Sequence, residues 1–296
     1  MNNNLIVGSY NLRTYGSKDP FPNDWQSRMP RINADVKKMG YHIFGTQETY
    51  DFYAEHICAG TAFAAIGHGR CENADGEACD IYYDTQRLEL LQHGTFWLSA
   101  TPEVCSVVPG AIYPRICTWA HLRDKVTGFE YIHINTHLDH LGNSKGGKEL
   151  RTAQIRVILE YIQSFPDVPM VMTGDFNHAK TTSAENIYAM FKNILGISEF
   201  TSSTGESITG NFSDARTEAA DTVSPDAWAS LTAYWQEGTD SYNPAKKPID
   251  YVFYTTGDFT ADVYRNIHYH RDGIYLSDHL PQYCELTVTV PAADGE

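Results

Sequence analysis

The chain has 296 residues, 42% hydrophobic and 20% charged, with a formal net charge of −15. That is enough apolar material for one large domain with a well-buried core, and no linker divides it, so residues 1–296 are expected to form a single domain. The charge repels polyanions at long range and argues against tight, sequence-independent binding to duplex DNA, while leaving room for a metal ion or a small phosphorylated ligand.

The apolar run at 5–7 is too short for the core of a secretory signal, and no stretch reaches membrane-spanning length. The six cysteines contain no CxxC pair and read as free thiols in a reducing cytoplasm. Only export would make a disulfide between Cys71 and Cys79, which flank a Gly/Asp-rich loop, a reasonable alternative.

In chain order, residues 5–11 read as a buried strand. Apolar residues at helical spacing over 24–39 predict a helix stopped by Gly40, with Pro30 as a candidate kink. A second buried strand covers 41–46, and a short helix 52–59. Residues 62–67 look extended and lead into the loop GHGRCENADGEACD, with its two turn signals. Strands are expected at 81–83, 88–98, 116–122 and 129–136, then a long amphipathic helix over about 147–165. A strand at 168–173, a helix at 184–195, and strands at 249–254, 259–266 and 283–290 complete the pattern. Strands outnumber helices, and the connections are both short and long, which predicts α/β architecture with mixed sheets covered by helices. The stretch at about 201–243 is rich in Ser, Thr, Ala and acidic residues and reads as a surface insertion.

Several buried strands end in polar residues of one chemical kind. MVMTGDFNH passes from an apolar run into Asp175 and Asn177. Asn11, then Gln47-Glu48, then Asn135-Thr136-His137 close three others, while Asp250 opens a late strand and Ser277-Asp278-His279 precede the last. Taken singly, these are surface residues or turn formers. Together they supply carboxylate and amide oxygens, the hard donors that suit Mg²⁺ or Mn²⁺, and imidazoles suited to proton transfer or phosphate contact. The inferred chemistry is metal-assisted hydrolysis of a phosphate ester.

The ordered motifs SYNL, TQET, NTHLDH, TGDFN, PIDYVFY and LSDHLP resemble the endonuclease/exonuclease/phosphatase superfamily, over most of the chain from Asn11 to His279. The resemblance implies the DNase I-like fold, a four-layer α/β sandwich of two mixed β-sheets flanked by helices. It implies a metal-binding Glu48, an Asn11 that supports this metal, and Asp278 as a second metal-side carboxylate. It also implies that Asp175 orients or deprotonates the attacking water, and that Asn177, His137 and His279 face the phosphate, with Asp250 paired to His279. The implied cofactor is Mg²⁺ or Mn²⁺. The implied substrate is a phosphate ester: a nucleotide, a short single strand, or a sugar or lipid phosphate, acted on by a monomer.

Within the family, PIDYVFY lacks the Cys-Asp-Arg of inositol 5-phosphatases, and abasic-site nucleases lack an NTHLD element. NTHLDH with GDFN and SDH looks nearer to the deadenylase-like branch. GHGR, the GE of DGEACD, GTFWLSATPE and RICTW are similar to a bacterial group of superfamily members, and this likeness places Arg70, Glu77 and Arg115 on the substrate side. Two rival readings stand beside this one. NTHLDH matches three positions of the metallo-β-lactamase zinc motif, through His137, Asp139 and His140, with Asn135 where the first His should be. A non-catalytic phosphate-binding protein on the same fold is the other. His42, His56, His93 and His121 read as surface or satisfied core residues, Trp97 and Trp119 as core aromatics, and His140 and His178 as neighbours of the motifs.

Overall fold

The computed structural model describes residues 4–165, 168–178, 200–201, 207–208, 212–222, 230–234, 248–267, 270–271 and 274–289. The first half of the described chain runs β1 (Asn4–Asn11), α1 (Trp25–Met39), β2 (Ile43–Gln47), α2 (Asp51–Cys58), β3 (Phe63–Ile66), β4 (Ile81–Asp84), β5 (Leu88–Trp97), β6 (Ile116–Asp124) and β7 (Glu130–His137). It continues with α3 (Gly147–Ile162), β8 (Met170–Asp175), β9 (Phe200–Thr201), β10 (Ser207–Ile208), β11 (Phe212–Asp214), α4 (Ala215–Glu218) and β12 (Asp221–Thr222). Then follow β13 (Asp250–Thr255), β14 (Phe259–Asn266), β15 (His270–Arg271), β16 (Ile274–Tyr275) and β17 (Gln282–Val288). The helix expected at 184–195 lies outside the described residues.

Two mixed sheets form the body. One has seven strands in the order β12-β14-β17-β1-β2-β4-β3, and the other six in the order β11-β13-β8-β7-β6-β5. Each is antiparallel apart from a few parallel pairs, among them β1–β2 and β7–β8 at the sheet centres. One hydrophobic cluster fills the space between the sheets, with Leu5, Val7, Ile43, Tyr131, Val171 and Val252. A second packs the six-stranded sheet on α3 through Ile132, Ile134, Ile155, Ile158, Met170 and Met172. A third packs the seven-stranded sheet on α1 and α2 through Ile32, Val36, Phe44, Tyr53 and Ile57. The result is the four-layer sandwich expected from the sequence.

Side chains alternate along each strand, so one face of each sheet meets the other sheet. On that inner face, β1 reads Leu5, Val7, Ser9, Asn11; β7 reads Tyr131, His133, Asn135, His137; β8 reads Val171, Thr173, Asp175. All three change from apolar to polar in the same direction. The sandwich interior is therefore hydrocarbon at one end and polar at the other.

Asn135 closes this polar zone. Its Nδ2 donates to the carbonyls of Thr46, at 2.7 Å, and Asp80, at 2.9 Å, on the seven-stranded side. Its Oδ1 accepts from Gln47 Nε2 at 2.8 Å and from Thr173 Oγ1 at 3.1 Å. Gly45 leaves the space it needs, since a Cβ there would lie 2.3 Å from Asn135 Oδ1.

The elements fit their local sequence. Asp24 caps α1 by accepting from Ser27 N at 3.0 Å, and Gly40 ends it at φ 66°. The helix assignment continues through Pro30. Strand ends shift by one or two residues from expectation. Within the stretch expected as a surface insertion, about 201–243, β9 and β10 pair only with each other, but two other described segments join the sheets. β11 pairs with β13, β12 pairs with β14, and Ser230 is fully buried, because these short polar segments complete sheet edges instead of leaving them open. Cys71 and Cys79 are free thiols, so the disulfide alternative is not realised. No helix among the described residues is long and apolar enough to cross a membrane.

Asn135→Ala should remove four buried hydrogen bonds that join the sheets and destabilise the protein by on the order of 3 kcal/mol. Urea unfolding followed by tryptophan fluorescence reads this directly, and an unchanged midpoint would remove Asn135 from its bridging role.

Candidate active site

The polar end of the sandwich gathers side chains from both sheets. Register alone sets part of the site: β8 is flanked by β7 and β13, with His137 and Asp250 both opposite Asp175. The three side chains therefore share one face of the six-stranded sheet. From the other sheet come Asn11 at the end of β1, Glu48 just after β2, and Asp278 and His279 just before β17.

Asn11 joins the two halves. Its Nδ2 donates to Glu48 Oε1 at 3.0 Å and to Asp175 Oδ2 at 3.1 Å. The remaining carboxylate oxygens are held by backbone amides: Thr14 N to Glu48 Oε2 at 2.9 Å and Asn177 N to Asp175 Oδ1 at 2.8 Å. Asn11 Oδ1 accepts from Arg13 N at 3.0 Å, so its amide acts here as a spacer between carboxylates. Arg13, Glu48 and Asn177 all have positive φ, at 58°, 60° and 49°, a strained backbone for residues with side chains. Strain thus collects at the strand ends that aim these groups.

The two histidines differ in kind. His279 Nδ1 lies 2.9 Å from Asp250 Oδ2, and its Nε2 lies 3.7 Å from Asp175 Oδ2. Burial works against a charge on this ring, but Asp250, Asp175 and Asp278 outweigh it and hold its pKa well above the ordinary histidine value. His137 sits 3.5 Å from the same Asp175 oxygen, yet burial, with Arg115, Arg70 and His279 nearby, pushes its pKa well below normal. It is a neutral ring whose Nε2 accepts from Asn177 Nδ2 at 2.9 Å. Burial and the Asp250 charge raise the pKa of Asp175 despite the neighbouring His279.

Asp175, Asp250 and His279 form a buried group with ligand atoms within 4.8 Å of one another. Because His279 Nδ1 is already bonded to Asp250, this trio is organised around that pair and not around a shared cation. The better cation position lies among oxygens. Glu48 Oε1 and Asp175 Oδ2 converge on one amide nitrogen, and Asp175 is made less acidic by burial, by Asp250 and by Glu48. Such mutually repelling hard oxygens fit a divalent ion.

A basic wall faces the carboxylates. Arg115 is buried, 5% exposed, with its NH2 3.0 Å from His140 Nδ1. Arg70 pairs with Glu77 at 2.9 Å and lies 4.8 Å from the centre of the Tyr113 ring. Tyr113 is 46% exposed, leaving part of its surface open to solvent beside the site.

The structure thus brings Asn11, Glu48, His137, Asp175, Asn177, Asp250, Asp278 and His279 together, with Arg70, Glu77 and Arg115 alongside. Asp278 is the residue whose setting differs most from expectation, since its Oδ2 lies 3.3 Å from Arg13 NH1. The zinc triad does not form: His137 faces Asn177, Asp139 Oδ1 accepts from Leu141 N, and His140 turns to Arg115. His140 is accordingly part of the wall and more than a motif neighbour. His178 is buried, and its carbonyl accepts from the Tyr251 hydroxyl at 2.9 Å, a scaffolding role.

Sequence reasoning missed three supports. Arg28, wholly buried, donates to the carbonyls of Leu12 at 2.7 Å and Leu276 at 3.1 Å, and so ties α1 to two site loops. Ser230 Oγ accepts from Asp250 N at 3.1 Å. Ser277 Oγ donates to the Asn11 carbonyl at 2.6 Å and receives His279 N at 3.2 Å. Of these, only Ser277 carried a signal, through its place in SDH.

Comparison with known proteins places the chain in a family and a fold. A profile of the endonuclease/exonuclease/phosphatase family matches residues 8–279. A crystal structure of a family protein from Bacteroides thetaiotaomicron is 27% identical, with a TM-score of 0.79, covering 98% of this chain and 100% of that one. A mannosyl-6-phosphatase from the same organism is 27% identical, with a TM-score of 0.77, covering 95% of this chain and 99% of its own. Protein angel of Drosophila melanogaster is 28% identical over 174 residues, 54% of this chain but only 45% of that protein.

The Asp250 charge raises the His279 pKa, so Asp250→Asn should lower it. In the metal-free protein, NMR titration should show the His279 ring losing its proton at a lower pH in the variant than in the wild type. Superimposable titrations would mean that Asp250 does not set the charge of His279.

Proposed function

Since the chain belongs to the endonuclease/exonuclease/phosphatase family, we propose that it is a divalent-metal-dependent phosphoesterase, acting on a small, hydroxylated phosphomonoester such as a sugar phosphate. The observation that carries the reading is the joint hold of Asn11 on Glu48 and Asp175, with the Asp250–His279 pair 3.7 Å away through His279 Nε2.

Each group has a physical role in this reading. Asp175, fixed by Asn11 and the Asn177 amide, orients the attacking water and accepts its proton. His279 carries positive charge in a buried setting, where it stabilises negative charge building on the phosphorus oxygens. Asp250 fixes the tautomer and orientation of that ring. Asn177 and neutral His137 offer hydrogen-bonding groups on the phosphate side. When bound at Glu48 and Asp175, Mg²⁺ or Mn²⁺ supplies further neutralisation of the developing charge.

The wall supports the choice of substrate. Among the described residues Arg115 makes no ion pair with a carboxylate, and a buried guanidinium in that state favours a phosphate oxygen. Arg70 is already neutralised by Glu77. A carboxylate placed directly on phosphate would repel it, so Glu77 is suited to accept hydrogen bonds from hydroxyls of the leaving group. Tyr113 adds a ring surface beside it. The similar mannosyl-6-phosphatase bears a name consistent with this class. The formal net charge of −15 also disfavours a long polyanion.

A phosphoester panel with Mg²⁺ and Mn²⁺ tests the proposal: hexose phosphates, nucleotides, inositol phosphates, and short RNA and DNA. Phosphate release from hexose phosphates is expected, and cleavage of nucleic acid alone would overturn the monoester reading. Asp175→Ala should reduce kcat on the order of 10³-fold, and Glu48→Gln should raise the metal concentration needed for half-maximal rate. An Asp175→Ala variant as active as the wild type on every substrate would sink the enzymatic reading. Glu77→Gln should raise KM for hexose phosphate while leaving methyl phosphate, which lacks hydroxyls, unchanged.

A further inference from the structure

We propose that the Arg13 guanidinium takes the place of a second cation and confines the site to a single divalent ion. The inference rests on the metal-dependent reading above and adds the stoichiometry and the residue that sets it.

The resemblance placed two carboxylates, Glu48 and Asp278, on the metal side. The structure gives them different partners. Glu48 is joined to Asp175 through Asn11, whereas Asp278 Oδ2 lies 3.3 Å from Arg13 NH1. The other edge of the same guanidinium is bonded twice to Asp19, Nε to Oδ2 at 3.0 Å and NH2 to Oδ1 at 3.1 Å. The Tyr234 hydroxyl donates to Asp19 Oδ2 at 3.2 Å and fixes the far anchor. Arg13 is therefore clamped between two carboxylates, one of them at the site.

This pose is built into the backbone. Arg13 has φ 58°, and its N–H is held by Asn11 Oδ1. Its carbonyl accepts from the Tyr53 hydroxyl at 3.0 Å and from Arg28 NH2 at 3.3 Å. A residue kept in a strained conformation by three separate bonds is over-determined. The Arg13 side chain is 32% exposed, so solvent screens it in part, but the planar fork on Asp19 restricts where its charge can go.

The consequence is electrostatic. Two-metal phosphoesterase sites hold their ions about 3.5–4 Å apart. A second ion using Asp278 would have to displace a guanidinium with two carboxylate partners, or sit against it as a like charge at short range. The Glu48–Asp175 position carries no such guanidinium within ion-pair distance among the described residues. One position is open to a cation, and the other already holds a guanidinium 3.3 Å from Asp278.

Mn²⁺ titration of the full chain, followed by electron paramagnetic resonance and calorimetry, reads the stoichiometry without any substrate. The wild type should bind one ion, Arg13→Gln two, and the charge-conserving Arg13→Lys one. Asp278→Asn should leave the wild-type affinity within about 3-fold, since Asp278 is not a ligand of the single ion, whereas loss of a true ligand support costs about 10–100-fold. Two ions in the wild type, one in a folded Arg13→Gln, or a large affinity loss in Asp278→Asn would each overturn the proposal. Should Arg13→Gln fail to fold by circular dichroism, the wild-type and Asp278→Asn measurements still decide it. A wild type that binds no Mn²⁺ at all removes the metal-dependent reading, and this inference with it, and so differs from failure of the stoichiometry alone.

Discussion

The contact between the two sheets changes character along its length, and the site follows from that change. Hydrocarbon packing holds one end through Leu5, Val7, Val171 and Val252. At the other end the same strand faces carry amides, hydroxyls and acids, which are costly to bury unless each finds a partner. Asn135 meets this demand in the middle of the interface, bonding to β2, β8 and the Asp80 carbonyl at once. Beyond it, Asn11 does the same for Glu48 and Asp175. Polar satisfaction between sheets is thus continuous with the site itself: the groups that close the sandwich also aim the carboxylates.

Charge is unevenly distributed in the cleft. Asp250, Asp175 and Asp278 surround His279, while Arg115 and Arg70 stand near His137 and His140. The same imidazole chemistry gives opposite outcomes because the neighbours differ. His279 stands among carboxylates that hold its pKa well above the ordinary value, while burial, reinforced by two guanidinium groups, pushes that of His137 well below it.

Much of this was legible in the sequence. The apolar-to-polar switch in MVMTGDFNH records the inner face of β8 running from core into cleft, and the same switch recurs in β1 and β7. Alternation and strand length were enough to find most elements, because burial on both faces of a sandwich leaves long apolar runs. What sequence could not supply is direction in space. Arg13 lies two residues from Asn11, yet only its left-handed backbone turns the guanidinium onto Asp278. Ser230 sits in an acidic stretch that looks expendable, and its role under Asp250 depends on chain folded from elsewhere. Composition likewise marked 201–243 as peripheral, although β11 and β12 each pair with a sheet strand, because edge strands need few apolar residues to be held by backbone bonds.

The pairing of β1 with β17 has a consequence for the life of the chain. Residues 4–9 hydrogen-bond to residues 282–287, so the seven-stranded sheet lacks a central neighbour until the latter have been synthesised. His279 arrives only just before that strand. A growing chain can therefore present Asn11, Glu48 and even Asp175 long before the cleft that gathers them is complete. Contacts of such long sequence separation also slow folding. The complete cleft in this protein depends on closure of the whole sandwich.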